Sequence, residues 1–414
     1  MSATHTLRNP KLAQSGHHKM DWVTAHMPIL GRIRDRYQED QPLRGQRVAI
    51  SLHLEAKTAV LAEVLHRGGA DVAITSSNPL TAQDDVAAAL AERGVTVHAF
   101  RGASDPEFDL LHQKVLDIEP TLIIDDGGEL TERLHGSRQN LAAGIIGGAE
   151  ETTTGVTRLK ALSRAGLLKY PMVLVNDADM KHLFDNRYGT GQSTWDGIIR
   201  STNLVVAGKT VVVAGYGWCG RGVADRARGL GARVIVTEIN PVRANEALMD
   251  GHAVMTMDQA APLGDYFVTV TGNYGVVREE HFRVMKNGAI LANAGHFDVE
   301  VDVKALKRMA KGTRPGRTPD VMGYEMADGR VLWLLAEGRL VNLAAGDGHP
   351  AEIMDLTFAL QALSLEDLLN NRRAPGVYPV NPAVDAWVAQ IRLEALGVRI
   401  DQLTPEQETY LSQG

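Results

Sequence analysis

Short apolar runs alternate with segments of helical length through the first half of the chain. The apolar runs predict strands at 47–52, 71–75, 95–100, 121–124 and 171–175. The segments between them predict helices at 56–67, 84–92 and 110–116. Apolar runs separated by helices of this length are typical of a parallel sheet that is covered by helices on both faces.

The second half of the chain repeats this alternation. It predicts a helix at 193–202 and strands at 209–214, 233–237, 252–255, 266–271, 289–292 and 332–335. A long apolar helix follows at 354–370, and its apolar character suggests a contact between subunits. The whole pattern predicts an α/β protein with two doubly wound parallel-sheet domains.

One glycine-rich turn is specific enough to predict a ligand. An apolar run leads into Gly215, Gly217 and Gly220, which form the motif G-x-G-x-x-G, and a helical segment follows. The first glycine permits a tight turn, the second lets a pyrophosphate approach the backbone, and the third lets helix and strand pack closely. Strand, turn and helix together are the dinucleotide-binding fingerprint. Trp218 and Cys219, which lie between the glycines, are predicted to line the same cofactor site.

Glu238 and Arg243 indicate which dinucleotide binds. Glu238 ends the strand after the glycine turn, where a carboxylate holds the ribose 2′-hydroxyl and repels a 2′-phosphate. Arg243 weakens that preference without reversing it. We therefore predict NAD as the cofactor of a Rossmann-type domain at residues 190–347. This domain is inserted in a substrate-binding α/β domain of residues 1–185 and 348–395, and residues 396–414 form a short C-terminal segment.

The composition argues against several other classes of protein. The chain has 414 residues, of which 44% are hydrophobic and 22% charged, as in water-soluble globular proteins. Its net charge of −7 and its lack of a basic cluster argue against nucleic-acid binding. Its apolar runs are too short to cross a membrane, and its N-terminus, with Ser2 and Thr4, lacks the apolar core of a signal peptide. Cys219 is the one cysteine, so no internal disulfide can form and we expect a cytoplasmic protein.

Polar side chains follow several of the predicted strands at their carboxyl ends. They are His53 and Glu55, Asp125 and Asp126, Asn176 and Asp177, and Asn293 and His296. Ligands bind beyond this edge in open α/β sheets, so the first domain is predicted to hold a substrate next to the NAD of the second. For any single residue of this set, a capping or turn role is the alternative.

Longer motifs then carry a resemblance to one family. They are Asp125-Asp126-Gly127-Gly128, Glu150-Glu151-Thr152-Thr153-Thr154-Gly155, Phe184-Asp185-Asn186, Gly295-His296-Phe297-Asp298-Val299-Glu300 and Gly348-His349-Pro350. With these motifs in this order, the chain resembles the S-adenosylhomocysteine hydrolases along nearly its whole length. It is most similar to the shorter subgroup of archaea and thermophilic bacteria.

The resemblance implies a hydrolase that uses NAD without net oxidation. In this family, bound NAD takes a hydride from the 3′ carbon of the ribose, and the resulting ketone makes the neighbouring C4′ proton acidic. A base removes that proton, homocysteine leaves from C5′, water adds, and the hydride returns. The implied substrate is a small nucleoside thioether, S-adenosyl-L-homocysteine, and the implied assembly is a homotetramer.

The resemblance also implies roles for the residues that bind the ribose. Lys181 and Asp185 would contact its hydroxyls, and Lys181 would act as the base for 3′ oxidation. A lysine in that role needs a lowered pKa, which burial would give. Asp126 would remove the C4′ proton, and Glu151 would bind ribose and tune the site.

Two histidines and a larger set of polar residues complete the implied site. His53 would exchange protons with the leaving sulfur and the attacking water, and His296 would share that transfer. The remaining matched positions are expected to support the lysine, the substrate or the cofactor: Thr152, Thr153, Thr154, Asn176, Asn186, Asn293, Gly295, Asn342 and His349. No metal site is predicted.

The purine side departs from the usual family pattern. The family has a threonine and then an acid after the first catalytic histidine, whereas this chain reads His53-Leu54-Glu55-Ala56-Lys57-Thr58. Glu55 could accept a hydrogen bond from adenine N6, whereas Lys57 could donate one to hypoxanthine O6. S-inosyl-L-homocysteine is therefore an alternative substrate. The alternative to any base contact here is an exposed first turn of a helix.

Two further departures concern the cofactor. Thr190 replaces a family cysteine, which is expected to shift the redox balance of the cofactor. The lysine and tyrosine by which the family C-terminus reaches a neighbouring NAD site are absent, so looser NAD binding is expected. A non-catalytic NAD-binding regulator and a dehydrogenase with net oxidation remain alternative functions.

Overall fold

The computed structural model describes residues 5–413 of the chain. Ser2, Thr4 and Gly414, which figure in the sequence predictions, lie outside that range. The described strands form one sheet of seven strands and one of eight. The predicted α/β class with two doubly wound sheets is confirmed, and the second sheet carries an antiparallel addition.

The first sheet is parallel throughout. Its strands are β1 (Arg47–Leu52), β2 (Asp71–Ser76), β3 (Thr96–Val97), β4 (Leu122–Asp125), β5 (Gly147–Glu150), β6 (Pro171–Leu174) and β15 (Gly376–Pro379). Their spatial order is β15-β6-β5-β4-β1-β2-β3. The order reverses direction between β1 and β4, and a crevice for ligands forms at such a switch point.

Ten helices accompany this sheet. They are α1 (Ala13–Thr24), α2 (Pro28–Asp40), α3 (Ala56–Arg67), α4 (Asp84–Glu92), α5 (Asp105–Leu116), α6 (Glu129–His135), α7 (Thr153–Arg164), α8 (Asp179–Lys181), α16 (Ala351–Asn370) and α17 (Pro382–Ala395). A π-helix, His182–Gly189, leads from α8 towards the second sheet.

The second sheet has the strand order of a dinucleotide-binding fold with an antiparallel edge. Its strands are β7 (Thr210–Ala214), β8 (Arg233–Thr237), β9 (Ala253–Val254), β10 (Tyr266–Thr269), β11 (Ile290–Asn293), β12 (Ala310–Pro315), β13 (Val321–Met326) and β14 (Val331–Leu335). Their order is β12-β13-β14-β11-β10-β7-β8-β9, and only the pairs with β13 are antiparallel. The switch point lies between β7 and β10, at the glycine turn.

The remaining helices lie along the second half of the chain. They are α9 (Thr190–Thr202), α10 (Trp218–Gly229), α11 (Pro241–Met249), α12 (Met257–Ala260), α13 (Glu279–Val284), α14 (Val303–Met309), α15 (Val341–Ala344) and α18 (Pro405–Ser412). No helix within the described residues combines the length and the apolar surface that a membrane crossing needs.

The apolar helix α16 is a core helix of the first half of the fold. Phe358, Leu360 and Leu365 are buried, and the helix packs against α2, α3 and β5. Packing within the chain therefore accounts for the apolar character of this helix, and the expected subunit contact stays a prediction. A helix that is apolar on most of its surface is buried by its own chain when elements pack on several sides of it.

Several predicted boundaries shift for local reasons. The predicted strand 95–100 contains only the two residues of β3. Helix α5 begins earlier than predicted, because Ser104 and Glu107 form a capping box at its start. Strands β5 and β15 and the antiparallel pair β12–β13 were not predicted, and the glycines of β5 conceal its strand character.

Candidate active site

His53 and Asp126 meet at the switch point of the first sheet. His53 follows β1 and Asp126 follows β4, and these strands are neighbours. His53 Nε2 lies 3.1 Å from Asp126 Oδ2. Ser77, which follows β2, donates its hydroxyl to the same carboxylate oxygen at 2.7 Å. Thr81 Oγ1 lies 2.9 Å from His53 Nδ1, so both ends of the imidazole are oriented.

His296 reaches this pair from the second sheet. It lies in the loop after β11, and its Nδ1 is 3.7 Å from Asp126 Oδ1. The centroids of the His53 and His296 rings are 6.0 Å apart. The His296 ring lies against Gly127, where a side-chain carbon would collide with it. The two sheets are therefore in contact through the residues of the candidate site.

Burial and charge set the protonation of this group. Burial lowers the pKa of His53 to about 4, although the Asp126 carboxylate opposes the shift. Burial also acts against ionisation of Asp126, but His296 and His53 outweigh it and hold the pKa of that carboxyl below its usual value. Near neutral pH, the pair therefore combines an ionised Asp126 with a neutral imidazole that can accept a proton.

Lys181 is the centre of a second polar cluster. Its Nζ donates to Asn186 Oδ1 at 2.7 Å and lies 3.2 Å from Asp185 Oδ1 and 3.9 Å from Glu151 Oε1. Asn176 Oδ1 is 3.4 Å from the same nitrogen. The π-helix carries Asp185 and Asn186 and follows directly on Lys181 at the end of α8, so these two side chains lie close to the lysine, whereas Glu151 and Asn176 come from other segments.

The pKa of Lys181 is shifted in the direction opposite to the expectation. Burial does act to lower it, but the acidic side chains beside the lysine, Asp185 first and Glu151 second, outweigh burial and raise the pKa above its ordinary value. Burial opposes the ionisation of Asp185, yet Lys181 and His349 hold the pKa of that carboxyl well below its usual range. The prediction of a lowered lysine pKa was therefore wrong for this arrangement, because it counted burial and omitted the partners.

Glu151 is the carboxyl of this cluster that holds a proton. Burial raises its pKa to about 8, although Lys181 acts in the opposite direction. The amide nitrogen of Gln361, on α16, lies 2.6 Å from Glu151 Oε2. The amide oxygen of Gln361 is buried without a hydrogen-bond partner among the described residues. A turned amide would place that oxygen against Glu151, where it would accept the carboxyl proton.

Asp185 is held by residues from distant parts of the chain. Thr357 on α16 donates to Asp185 Oδ2 at 2.8 Å, and His349 Nε2 lies 3.3 Å from Asp185 Oδ1. Ser193 Oγ lies 3.0 Å from His349 Nδ1 and fixes the imidazole from the other side. Sequence reasoning missed Thr357, Ser193 and Gln361, because nothing in their local sequence marks a polar contact with the site.

Glu150 was also missed, although it precedes Glu151 in the quoted motif. It is buried, and its Oε1 accepts the backbone N–H groups of Gly127 and Thr152, each at 2.9 Å. It therefore fixes the loops that carry Asp126 and Glu151. Thr153 Oγ1 donates to Asn176 Oδ1 at 3.4 Å, and a side-chain carbon placed on Gly272, in the second half of the fold, would lie 4.0 Å from Thr154 Oγ1.

The segment predicted to contact the purine is buried, so the exposed helical turn is wrong as an alternative. Glu55 caps α3 and accepts from the backbone N–H groups of Lys57 and Thr58. Lys57 is 5% exposed, and its Nζ lies 2.7 Å from both Glu55 Oε2 and the carbonyl oxygen of Asp347. Thr58 donates its hydroxyl to the His53 carbonyl at 2.6 Å. Lys57 therefore ties the start of α3 to the segment that leads back from the second sheet.

The glycine turn has the backbone geometry that the motif predicts. Gly215 has φ +102°, in the region that favours glycine. A side-chain carbon at Gly220 would collide with the carbonyl of Gly215. Gly217 has room for a side-chain carbon, whose nearest neighbour would be Arg243 Nη1 at 3.6 Å. Glu238 accepts the Tyr216 N–H at 2.7 Å, which fixes the turn.

Three further residues predicted to contact the cofactor, Trp218, Cys219 and Asn342, have different neighbours. Trp218 packs beside His182, with ring centroids 5.2 Å apart. Cys219 Sγ lies 3.6 Å from the hydroxyl of Thr190, so a thiol lies next to the position where the family cysteine is replaced, and burial raises the pKa of this thiol. Asn342 donates to Ser193 Oγ at 3.3 Å, and its Oδ1 is buried without a partner among residues 5–413.

Asn293 and Gly295 shape the loop that carries His296. Asn293 Nδ2 donates to the carbonyls of Gly295, Phe297 and Gly338, and its Oδ1 accepts from the Gly295 N–H at 2.8 Å. The side chain of Asn293 is therefore occupied by its own chain, and its predicted cofactor contact has no support from this geometry.

Two sequence models of one family match the chain. The model described as S-adenosyl-L-homocysteine hydrolase matches residues 4–143, and the model described as its NAD binding domain matches residues 186–348. The chain belongs to the S-adenosyl-L-homocysteine hydrolase family. This hydrolase fold therefore has its NAD-binding domain on the second sheet, and NAD is its cofactor.

Curated relatives in this hydrolase family carry two different names. The S-inosyl-L-homocysteine hydrolase of Methanopyrus kandleri is 54% identical over 409 residues, which is 98% of this chain and 96% of the relative. The adenosylhomocysteinase of Thermococcus kodakarensis is 54% identical over 409 residues, which is 98% of this chain and 97% of the relative. The adenosylhomocysteinase of Archaeoglobus fulgidus is 54% identical over 399 residues, covering 96% and 98%. Sequence identity over the whole chain therefore does not distinguish relatives named for the adenosyl substrate from those named for the inosyl substrate.

The residues present fit NAD in this member of the hydrolase family. The turn contains Gly215 and Gly220, where a larger residue would collide with its neighbours. The turn lies at the N-terminus of α10, where backbone N–H groups attract a pyrophosphate. Asn342 offers a buried acceptor that the described residues leave unused. Glu238 accepts three backbone N–H groups, from Tyr216, Ile239 and Asn240, which fix its carboxylate beside the turn and leave it able to accept one further donor such as a ribose hydroxyl.

Proposed function

We propose that this chain hydrolyses S-adenosyl-L-homocysteine to adenosine and L-homocysteine, with a bound NAD that is restored in each cycle. The observation that carries the proposal is the placement of two clusters on one edge of the first sheet. Lys181 with Asp185 forms one cluster, and His53 with Asp126 forms the other. Both lie where the second half of the fold approaches that edge, since His296 lies beside Asp126 and Trp218 of the glycine turn packs beside His182.

Each of the two sheets is proposed to carry one binding site. Residues 1–185 and 348–395 are proposed to bind the substrate, and residues 190–347 to bind NAD. The match of the family NAD-binding domain to residues 186–348 supports these inner boundaries. Because His296 lies 3.7 Å from Asp126 across the two sheets, we expect substrate entry to require the sheets to separate.

Lys181 and Asp185 are proposed to bind the ribose hydroxyls. In the structure, the carboxylate of Asp185 helps to keep Lys181 protonated. A ribose hydroxyl that donates to Asp185 weakens that field, and the pKa of Lys181 then falls towards the range of a base. The proton of the 3′ hydroxyl can then move to Lys181 Nζ, while Asn186 and Asn176 keep the nitrogen in place.

Asp126, His53 and His296 are proposed to move the protons of the elimination. Asp126 is ionised, so it can remove the C4′ proton once the 3′ position is a ketone. His53 is oriented by Thr81 and can exchange a proton with the leaving sulfur and then with water. His296, on the opposite sheet, closes the site and keeps bulk water from the intermediate.

Bound NAD would supply the reversible oxidising power that the 3′ carbon of the ribose needs. The chain supplies the binding site. Gly215, Gly217 and Gly220 are proposed to hold the pyrophosphate, Glu238 the adenosine ribose, and Asn342 a polar hydrogen of the cofactor.

Turnover of the thioether by NAD-loaded protein tests the proposal, with release of the homocysteine thiol as the measurement. Lys181→Met should reduce the rate at least ~10²-fold, because it removes the proposed base. Lys160→Met is the matched control, since it removes an exposed lysine that pairs with Asp177 at 2.8 Å. Equal rates for both variants would contradict the proposal. No turnover by the unmodified protein would favour the non-catalytic regulator, and accumulation of free NADH would favour the dehydrogenase.

S-Inosyl-L-homocysteine is a second candidate substrate, because Lys57 gives a specific reason for it. The Lys57 ammonium has three N–H donors, and Glu55 and the Asp347 carbonyl take two of them. The third can reach an acceptor such as hypoxanthine O6. Glu55 already accepts two backbone N–H groups and the ammonium, which leaves little capacity for adenine N6.

Competition between the two thioethers decides between these substrates. If Lys57 recognises O6, Lys57→Met should lower kcat/KM for the inosyl substrate at least ~10-fold more than for the adenosyl substrate. Lys160→Met again serves as the control. A parallel loss for both substrates would show that Lys57 has a structural role and does not select the base.

We also propose that the protein works in the cytoplasm as a homotetramer. The single cysteine and the family resemblance support this proposal. Light scattering from the NAD-loaded protein in solution tests the assembly, and a monomer mass would contradict it.

A further inference from the structure

A short turn in the first half of the fold orients both His53 and Asp126. The turn comprises residues 77–81, which follow β2, and is called the orienting turn below. Its first residue, Ser77, donates its hydroxyl to Asp126 Oδ2 at 2.7 Å. The hydroxyl oxygen of its last residue, Thr81, lies 2.9 Å from His53 Nδ1. Because both hydroxyl residues are buried, the position of this turn determines how the imidazole and the carboxylate are directed.

Arg101, in the loop after β3, holds the orienting turn in place. One end of its guanidinium, Nη1, donates to the Leu80 carbonyl. The N–H of the following residue, Gly102, donates to the Pro79 carbonyl at 2.7 Å. The backbone N–H of Arg101 donates to Asp84 Oδ1 at 2.8 Å, which ties the loop to the start of α4. The orienting turn is therefore anchored by a residue outside the candidate catalytic pair.

The other end of the same guanidinium reaches the second half of the fold. Its Nη2 donates to the Ala344 carbonyl at 2.8 Å and lies 3.5 Å from Asp320 Oδ1. Ala344 is the last residue of α15, and carbonyl groups at the end of a helix attract a cation. A planar guanidinium can donate in two directions at once, which an ammonium group does less well. One side chain therefore joins the orienting turn to the NAD-binding domain.

The hydrogen bond to Ala344 matters more than the ion pair with Asp320. The side chains of Arg101 and Asp320 are 41% and 32% exposed, so solvent screens their attraction, and 3.5 Å is longer than an ordinary hydrogen bond. The bond to the Ala344 carbonyl is short, directional and strengthened by the charge of the guanidinium. Because its donor and its acceptor belong to different domains, separation of the domains breaks it.

We propose that Arg101 is a positioning residue for the hydrolysis, and that it couples the approach of the NAD-binding domain to the orientation of His53. With the domains together, the Ala344 carbonyl fixes the guanidinium, the guanidinium fixes the orienting turn, and Thr81 fixes the imidazole. With the domains apart, the turn loses this support. His53 is therefore ready for proton transfer only in the closed arrangement, which excludes bulk water. The inference rests on the proposed function, because that function gives His53 its role.

Arg101→Met tests the effect on chemistry in a single turnover of the NAD-loaded protein. The absorbance of reduced nicotinamide reports the 3′ oxidation, for which Lys181 is the proposed base, whereas thiol release requires His53. We expect the substitution to slow thiol release at least ~10-fold more than nicotinamide reduction, so that reduced cofactor accumulates. A general loss of stability would slow both steps in proportion.

Arg138→Met is the matched control for this experiment. Arg138 binds Asp117 at 2.8 Å and the Gln113 carbonyl at 3.2 Å, both within the first half of the fold. Arg101→Lys is a second variant that keeps the charge but lacks the planar fork, so the same bias against thiol release is expected. An unchanged ratio of the two rates in the Arg101 variants would overturn the inference.

Hydrogen exchange of the NAD-loaded protein gives a readout that needs no turnover. Arg101→Met should speed exchange of backbone N–H groups at least ~3-fold in two segments, the orienting turn and residues 341–348, whereas Arg138→Met should leave both unchanged. Unchanged exchange, or faster exchange in only one of the two segments, would overturn the inference. If the unmodified protein releases no thiol, the proposed function fails, and hydrogen exchange still decides whether Arg101 joins the two segments.

Discussion

Glu151→Gln tests the electrostatics of the ribose cluster. Burial raises the pKa of Glu151 from 4.5 to about 8. Near neutral pH, the carboxyl is therefore protonated in the folded protein and ionised in the unfolded chain. Unfolding then releases a proton, so the free energy of unfolding falls as pH rises from about 4.5 to about 8. At about 1.36 kcal/mol for each pH unit between the two pKa values, the effect is on the order of a few kcal/mol.

The variant keeps the shape of the side chain and its contact with Gln361, but it cannot ionise. We expect the thermal midpoint of the unmodified protein to fall with rising pH across this interval, and that of Glu151→Gln to fall less. Glu92→Gln, on the exposed end of α4, is the control for a general charge effect.

Infrared difference spectra give the protonation directly. The unmodified protein minus Glu151→Gln should show the carbonyl stretch of a protonated carboxyl at neutral pH, and the band should disappear as pH passes about 8. A difference spectrum without this band at neutral pH would refute the reasoning. So would a band that titrates near the ordinary value of 4.5.

Three further predictions concern the turn, the cofactor and the core. Gly220→Ala should abolish NAD binding measured by calorimetry, because the new carbon meets the Gly215 carbonyl, whereas Gly229→Ala in the same helix has open space and should not affect it. Glu238→Ala should weaken NAD binding at least ~10-fold, because it frees the Tyr216 N–H of the turn and two N–H groups after β8, and removes the acceptor proposed for the ribose. Asp355→Ala should lower the free energy of unfolding by about 1–3 kcal/mol for each of the two backbone N–H groups it leaves unpaired at the start of α2, and unchanged thermal unfolding would contradict this.

The local sequence was sufficient to predict the parts of the fold that local chemistry determines. The turn at Gly215 and Gly220 needs glycine for steric reasons, so its sequence is specific. The strands β1 and β4 are short apolar runs that end at polar residues, and their carboxyl ends place His53 and Asp126 together. Helix α3 was also predicted with its observed ends, because Glu55 caps it and Gly68 follows it.

The rest depends on contacts between distant segments. Gln361 and Thr357 reach Glu151 and Asp185 from α16, and no local pattern distinguishes them from other residues of a buried helix. The sign of the Lys181 pKa shift depends on which carboxylates fold against the lysine. Burial alone predicted a lowered value, and the neighbouring charges reverse it. Strand β5 was missed because its glycines carry no apolar signal, although they leave room for close packing.

Rapid mixing of the NAD-loaded protein with each nucleoside thioether tests the central claim most directly. The measurement is the absorbance of reduced nicotinamide, followed together with release of the homocysteine thiol. We expect a transient rise in reduced cofactor that decays as the substrate is consumed, with no net NADH at the end. Thiol release at an undiminished rate by protein stripped of NAD would contradict the account.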